Sequence, residues 1–367
     1  MNFVNLVGYQ FCHDLFYITL FVSLLLAILS INPSFVLNKV ITVPSQRILL
    51  LVVPIVVFCL AGQPINYTGF ENDRGNYALS IIKYASSSHP DFTRGDKLFA
   101  LYQFYCSKMM NYVGWFYLTA IIYVMNYYFA ARRLTGEYAF VLFLMMLCTF
   151  QFVGYGSNTI RAGFAASFII LGISFYQKTW LMLIILGLAT QIHSSMLLPV
   201  FMLLLSLRFK NNKLFLYGWL LSFVLSFTMG KYFEILFQGF VEDRRSSYFN
   251  SMGTEGYKVG FRWDFLLYSA IPIVLGYYYL YKLKLRSAFY QFMWRAYLGT
   301  NAFWVLVIRA NFTDRFAYLS WFMFPILLFY PLLNQQLYRN VNDHYQKLLW
   351  LMVGQGVYTI GFYLLKG

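Results

Sequence analysis

Charge is what this sequence has least of. Asp, Glu, Lys and Arg make up only 11% of its 367 residues, whereas a soluble domain needs roughly 25% to solvate its surface. That shortage excludes a water-soluble globular protein. Acidic residues are scarcest, 13 Asp+Glu against 28 Lys+Arg. A basic excess can be a nucleic-acid footprint, but here the basic residues sit in short gaps between apolar runs. That placement is the positive-inside signature of a membrane protein, and no nucleic-acid partner is expected. The 4 cysteines (Cys12, Cys59, Cys106 and Cys148) lie in or beside apolar runs without a CxxC pair. They read as buried free thiols, not as a disulfide framework or a metal site.

Catalytic signatures are missing too. There is no HExxH, no Walker loop, no GxSxG and no cluster with zinc spacing. No acidic pair suited to a divalent ion is obvious, though Asp73 or Asp264 could serve one; neither a metal nor another cofactor is expected. Charged residues are nearly absent from the middle of the apolar runs, which argues against a proton-coupled pump or an ion channel. Met1 to Asp14 lacks a basic n-region and no small-residue cleavage site follows, so no cleavable signal peptide is expected. Without internal repeats, low-complexity tracts or linkers, residues 1–367 read as a single integral membrane domain.

Apolar residues are abundant: the sequence is 60% hydrophobic and 22% aromatic, with mean hydropathy +0.59. A membrane span takes about 20 apolar residues, somewhat fewer where the bilayer is pinched. That rule places about twelve spans, near 14–31, 47–61, 115–131, 138–155, 160–176, 179–192, 195–207, 214–229, 264–281, 290–308, 316–333 and 347–365. Lipid offers no partner to a lone backbone N–H, so the spans must be helices and the fold class all-α and polytopic. One set of gaps is short and basic: Lys39/Arg47, Arg132/Arg133, Lys178, Arg208/Lys210/Lys213, Lys282/Lys284/Arg286 and Arg339/Lys347. Glu137 and Asp343 are the acidic exceptions. These gaps alternate with the spans and belong on the cytoplasmic side. The remaining loops, 62–97, 155–161, 192–195, 230–263 and 309–315, then face out. Residues 62–114 read as a first outer, periplasmic loop, in which 98–114 is an amphipathic interfacial helix because Gln103, Ser107, Lys108 and Asn111 interrupt it. Residues 230–263 form the second.

Polar residues at the outer span ends are the candidate site. Arg161 opens a helix after Tyr155-Gly-Ser-Asn. The macrodipole opposes a cation there, so the place suits an anion shared between Arg161 and the backbone amides; the plain alternative is a snorkelling arginine. His193 joins two apolar runs too short for full spans, which places its turn below the outer surface as a general base or a structural hydrogen-bond partner. Asp264, in Arg262-Trp-Asp264, has a sufficient structural explanation as an N-cap; Arg262 has none so simple. Asp314 can cap the next helix, while Arg309 and Arg315 at the same rim ask for partners. Arg244 and Arg245 read first as a solvated loop face. Arginines converging at one face suggest a diphosphate ligand, since guanidinium forks match phosphate oxygens.

At these residues the sequence resembles the EpsG/Wzy-type family of bacterial polysaccharide polymerases. The pieces are Asp73-Arg-Gly-Asn-Tyr77, Ser157-Asn-Thr-Ile-Arg161-Ala-Gly-Phe-Ala-Ala166, Ala189-Thr-Gln-Ile-His193-Ser-Ser195, Gly260-Phe-Arg262-Trp-Asp264 and Arg315-Phe-Ala-Tyr318 ahead of Pro325. They run in the right order, and Ala162 stands where the family usually has glutamine. The resemblance implies a GT-C-like membrane glycosyltransferase at the periplasmic face of the bacterial inner membrane. It would join O-antigen or exopolysaccharide repeat units carried on undecaprenyl diphosphate, with no nucleotide sugar and no metal. Its partners would be that lipid-linked oligosaccharide, membrane lipids and a chain-length regulator. In this reading Arg161, Arg262, Arg309 and Arg315 hold the diphosphate, and His193 or Asp264 takes the proton of the attacking hydroxyl. Asp73, Arg74, Tyr77, Arg244, Arg245 and Tyr318 contact substrate. Alternatives are another GT-C-like glycosyltransferase or an O-antigen ligase, and from a different class a lipid-linked oligosaccharide flippase. A flippase would carry cations deep within its spans, whereas here the polar residues gather at one face.

Overall fold

The computed structural model describes residues 8–30, 44–65, 73–93, 95–238, 260–310 and 313–366. Among them every regular element is helical. In chain order these are α1 (Tyr9–Ser30), α2 (Pro44–Ala61), α3 (Asp73–Ser86), α4 (Lys97–Met109), α5 (Tyr112–Thr135), α6 (Ala139–Leu147), α7 (Phe150–Ser157), α8 (Ile160–Ile173) and α9 (Thr179–Ile192). There follow α10 (Leu197–Arg208), α11 (Asn212–Gln238), α12 (Trp263–Tyr277), α13 (Ala288–Leu306), α14 (Thr313–Trp321), α15 (Phe324–Asn334) and α16 (Val341–Lys366).

Each expected apolar run lies on helix, but not every run is one straight span. The run 138–155 breaks at Cys148–Thr149, where Thr149 is extended and its hydroxyl donates back to the Met146 carbonyl at 2.7 Å. The run 316–333 divides between α14 and α15. Among the described residues 4 segments are long and apolar enough to cross a membrane: Gln10–Ser30, Tyr112–Leu147, Asn212–Phe233 and Thr313–Asn334. The helices Ile48–Ala61, Ile160–Ile173, Thr179–Ile192 and Ser194–Arg208 are apolar but shorter. The chain is therefore a helical membrane protein whose short helices end in polar turns. Its four cysteines are free and buried.

Cα packing divides the chain into two compact units, residues 1–196 with 332–367, and residues 197–331. In the first unit α8 packs on α5 and α9, α3 on α4, and α1 on α2 and α16. All nine residues of α6 are buried, as expected of a helix that is apolar all round. Trp115, Tyr123, Tyr127, Phe143 and Phe152 fill the core, and the Tyr123 hydroxyl donates to the Phe152 carbonyl at 3.0 Å. Arg74, buried at the start of α3, donates to the carbonyls of Leu60 at 3.0 Å and Ser157 at 3.1 Å, and to that of Ala61. Its guanidinium also lies 4.1 Å from the Phe116 ring centroid. A cation gathering the last carbonyls of α2 and α7 is favoured by both helix dipoles.

In the second unit α13 is the central helix, packed on α10, α11, α12 and α14. Several buried rings of this unit place their polar tips on hydrogen-bond partners. Trp304 donates to Thr313 Oγ1 at 2.8 Å, Trp321 to Ser269 Oγ at 2.7 Å and Tyr297 to the Ser269 carbonyl at 2.9 Å. Arg295 repeats the Arg74 device: it donates to the Ser206 carbonyl at 3.0 Å and to Asn212 Oδ1 at 2.7 Å, closing the end of α10. Along α11 the apolar side chains Leu220, Leu221, Val224 and Phe227 are exposed, the surface a lipid-facing helix presents.

Candidate functional site

In the first unit one carboxylate gathers three donors from two different elements. Asp96 lies between Gly95, at φ 76°, and the first residue of α4, where a helix cap belongs. Yet its carboxylate makes no capping bond to α4. Oδ2 instead meets Arg161 Nη1 at 2.8 Å and His193 Nδ1 at 3.2 Å, while Oδ1 accepts the Ser194 backbone N–H at 2.8 Å. The Asp96 side chain is 3% exposed, that of His193 9% and that of Arg161 24%. Burial alone would push this carboxyl up. The His193 hydrogen bond and charge, the Arg161 charge and the Ser194 amide outweigh it and hold Asp96 below the usual carboxylate range.

Local structure explains each donor. Arg161 is the second residue of α8, and its backbone N–H donates to the Tyr77 hydroxyl at 3.3 Å. A cation in a first helical turn is disfavoured by the dipole; the Asp96 carboxylate supplies the anion that such a terminus prefers. Arg161 Nε is buried without a hydrogen-bond partner among the described residues. His193 is the C-cap of α9 in extended conformation, and the turn Ser194–Met196 that follows is tied to Asp96 through the Ser194 amide. In the neutral tautomer that donates Nδ1–H to the carboxylate, the acceptor nitrogen is Nε2.

Asp96 and Arg161 line a cleft of about 210 Å³ between α3 and α4, together with Asn76, Tyr77, Ser80, Phe99 and Gln103. Lys108 on α4 holds its α3 wall, donating to the carbonyls of Tyr84 at 2.8 Å, Ala85 at 3.0 Å and Ser87 at 2.6 Å.

The sequence candidates are distributed as follows. Arg161, His193 and Tyr77 come together around Asp96. Asp73 stands in the first turn of α3, where its charge suits the dipole, and Arg74 beside it is engaged by the carbonyls described above. In the second unit Arg262 makes a bidentate pair with Asp264, 2.9 Å to Oδ1 and 2.6 Å to Oδ2, and lies 3.6 Å from the Phe265 ring centroid. Asp264 is thus in the first turn of α12, not at its cap; the cap position is Arg262 itself. Arg309 donates to the Ser226 carbonyl, a group available because α11 is kinked at Met229. Gly230 makes room for it, since a Cβ there would lie 2.1 Å from Arg309 Nη1. Arg315 and Tyr318 are half-buried on α14. Arg244 and Arg245 lie outside the described residues.

The residue that sequence reasoning missed is Asp96. It stood among several acids of the 62–97 loop, and its one local signal, an Asp preceded by glycine and followed by an apolar helix, points to a cap. Against this geometry, the model of the EpsG family matches residues 47–366. No curated protein and no solved structure matches the chain.

Proposed function

The chain belongs to the EpsG family, and from that premise we propose that it is a membrane glycosyltransferase that extends a polysaccharide. It transfers the growing glycan from undecaprenyl diphosphate to a sugar hydroxyl of a new lipid-linked repeat unit, at the outer face of the bacterial cytoplasmic membrane. The observation that carries this reading is the Asp96 carboxylate holding a cation and a base on one oxygen, Arg161 at 2.8 Å and His193 at 3.2 Å.

In the transfer, the bond between the sugar's anomeric carbon and the diphosphate oxygen breaks, and the acceptor oxygen bonds to that carbon. The hydroxyl proton must leave and the diphosphate must carry the departing electron pair. His193 Nε2 accepts the proton, and Asp96 fixes the ring's tautomer and stabilises the imidazolium that forms. Arg161 stabilises charge growing on the leaving diphosphate, and its Nε–H, without a partner among the described residues, supports that assignment. Asp264 serves this step less well: its carboxylate is already in a bidentate pair with Arg262, which weakens it as a base.

The test is the polysaccharide of a deletion strain complemented with wild type or His193→Ala, resolved by gel. Wild type should restore the ladder, with the deletion and His193→Ala lanes stopping at single repeat units. Loss of even the single unit in the deletion strain would point to export or ligation and sink the polymerase reading.

A further inference from the structure

The cleft beside Arg161 contains a buried amide whose hydrogen bonding is incomplete. Gln103 is 5% exposed. Its Oε1 receives only a long 3.5 Å contact from Ser80 Oγ, and its Nε2 has no partner among the described residues. Turning the amide about its last bond merely exchanges which end is left over. A buried amide end without a partner is costly, and a ligand that brings both donor and acceptor relieves it in either orientation.

The rest of the lining narrows the ligand. Asn76, on the same wall as Ser80, is exposed at the cleft. Tyr77 and Phe99 supply an aromatic wall, their centroids 5.9 Å apart and their rings edge to face. The charged lining groups are matched within the protein, Arg161 with Asp96 at 2.8 Å and Lys83 with Asp91 at 3.7 Å. The cleft therefore offers amides, a hydroxyl and ring faces with no net charge. That combination suits a ligand with hydroxyls on its edge and C–H groups on its face. A volume of about 210 Å³ accommodates one sugar ring.

We propose that this cleft is the subsite for one neutral pyranose of the acceptor glycan, held by Asn76, Ser80 and Gln103 against Tyr77 and Phe99. The proposal rests on the polymerase reading above and adds to it the place and chemistry of acceptor recognition. Because Asp96 and Arg161 line the same cleft, a sugar seated there lies beside Arg161 and the carboxylate that holds His193.

The test uses full-length protein in lipid nanodiscs and, as probe, the free repeat-unit oligosaccharide released by mild acid from the strain's own lipid-linked pool. Binding is followed by saturation-transfer NMR. Gln103→Ala and the exposed Asn76→Ala should each weaken binding about tenfold, and Ala100→Leu, which fills the cleft without removing a polar group, should do the same. In the deletion strain these variants should yield fewer or shorter chains. If wild type restores polymer yet Asn76→Ala and Ala100→Leu, eluting as folded protein, bind the oligosaccharide undiminished, the cleft proposal falls and the polymerase reading stands. If the deletion strain makes full-length polymer without this chain, the polymerase reading falls and the acceptor assignment falls with it.

Discussion

Each compact unit pairs an aspartate with an arginine, but the two pairs are of opposite construction. Arg262 and Asp264 are two positions apart, and the Asp264 side chain is 58% exposed. Such a pair is made within the first residues of α12, although its Arg262 side chain is 16% exposed and also acts on Asp314 of α14. Asp96 reaches His193 and Ser194 across 97 and 98 positions, and its side chain is 3% exposed. It exists only when the α3–α4 connection, the start of α8 and the end of α9 are all in place. A local exposed pair adds little to stability. A buried carboxylate shared by a cation and an imidazole is preorganised, and removing it leaves Arg161 and the Ser194 amide without their acceptor. The contrast favours the Asp96 cluster as the candidate site and leaves the Arg262–Asp264 pair the weaker candidate for proton transfer.

The largest effect that can break this contrast should come from Asp96 itself. Asp96→Ala is expected to cost about 3 kcal/mol of stability, because Arg161 and the Ser194 amide lose their acceptor. Asp96→Asn keeps the shape and removes the charge; its polymer yield should fall about 100-fold or more, the range of general-base effects. A gel ladder together with a thermal unfolding midpoint separates the two variants. A normal ladder from folded Asp96→Asn would reduce the hub to scaffolding.

Next comes Arg161. Arg161→Lys preserves a positive charge but not the fork that can hold Asp96 while presenting further N–H groups. Polymer should fall about tenfold or more, with the protein still inserted and eluting normally. A lysine variant that polymerises like wild type would show that a point charge suffices there.

A smaller, pH-dependent signature follows from the depressed Asp96 carboxyl. Its folded value lies below its unfolded one, so its stabilising contribution is complete above the unfolded value, about 4 for an aspartate. That contribution is lost as pH falls from there through the folded value. Thermal midpoints measured down to pH 3 should therefore converge between wild type and Asp96→Asn as the pH drops below about 4. A difference that stays constant through that window would contradict a depressed carboxyl.

Much of this protein was legible in its sequence, for identifiable reasons. Apolar length and the ban on unpaired N–H groups in lipid predict helices, and the helices lie where the apolar runs do. Arg161 at a helix start and His193 in a turn between short runs were readable because both are boundary features, marked by Gly156, Ser157 and Asn158 in one case and by a polar break in the other. Asp96 was not readable as a site, because its sequence context describes a cap while its contacts are all tertiary. Asp264 shows the same limit from the other side: a carboxylate near a helix start was expected to cap it, and a guanidinium two residues away competes more strongly. The breaks at Thr149 and between α14 and α15 were invisible in hydropathy, which averages over a kink.

The smallest expected effect is the most decisive for the chemistry, because it separates the two proton acceptors left open by the sequence. Asp264→Asn should change stability by no more than about 0.5 kcal/mol, since the carboxylate is exposed and its partner local. It should also leave polymer yield and chain length as in wild type. A carboxylate in bidentate contact with a guanidinium is a weaker base than a neutral imidazole whose other nitrogen donates to an aspartate. If Asp264→Asn instead stops polymer at single units while His193→Ala does not, proton acceptance moves to the second unit. The Asp96 cluster would then have to be explained by its packing alone.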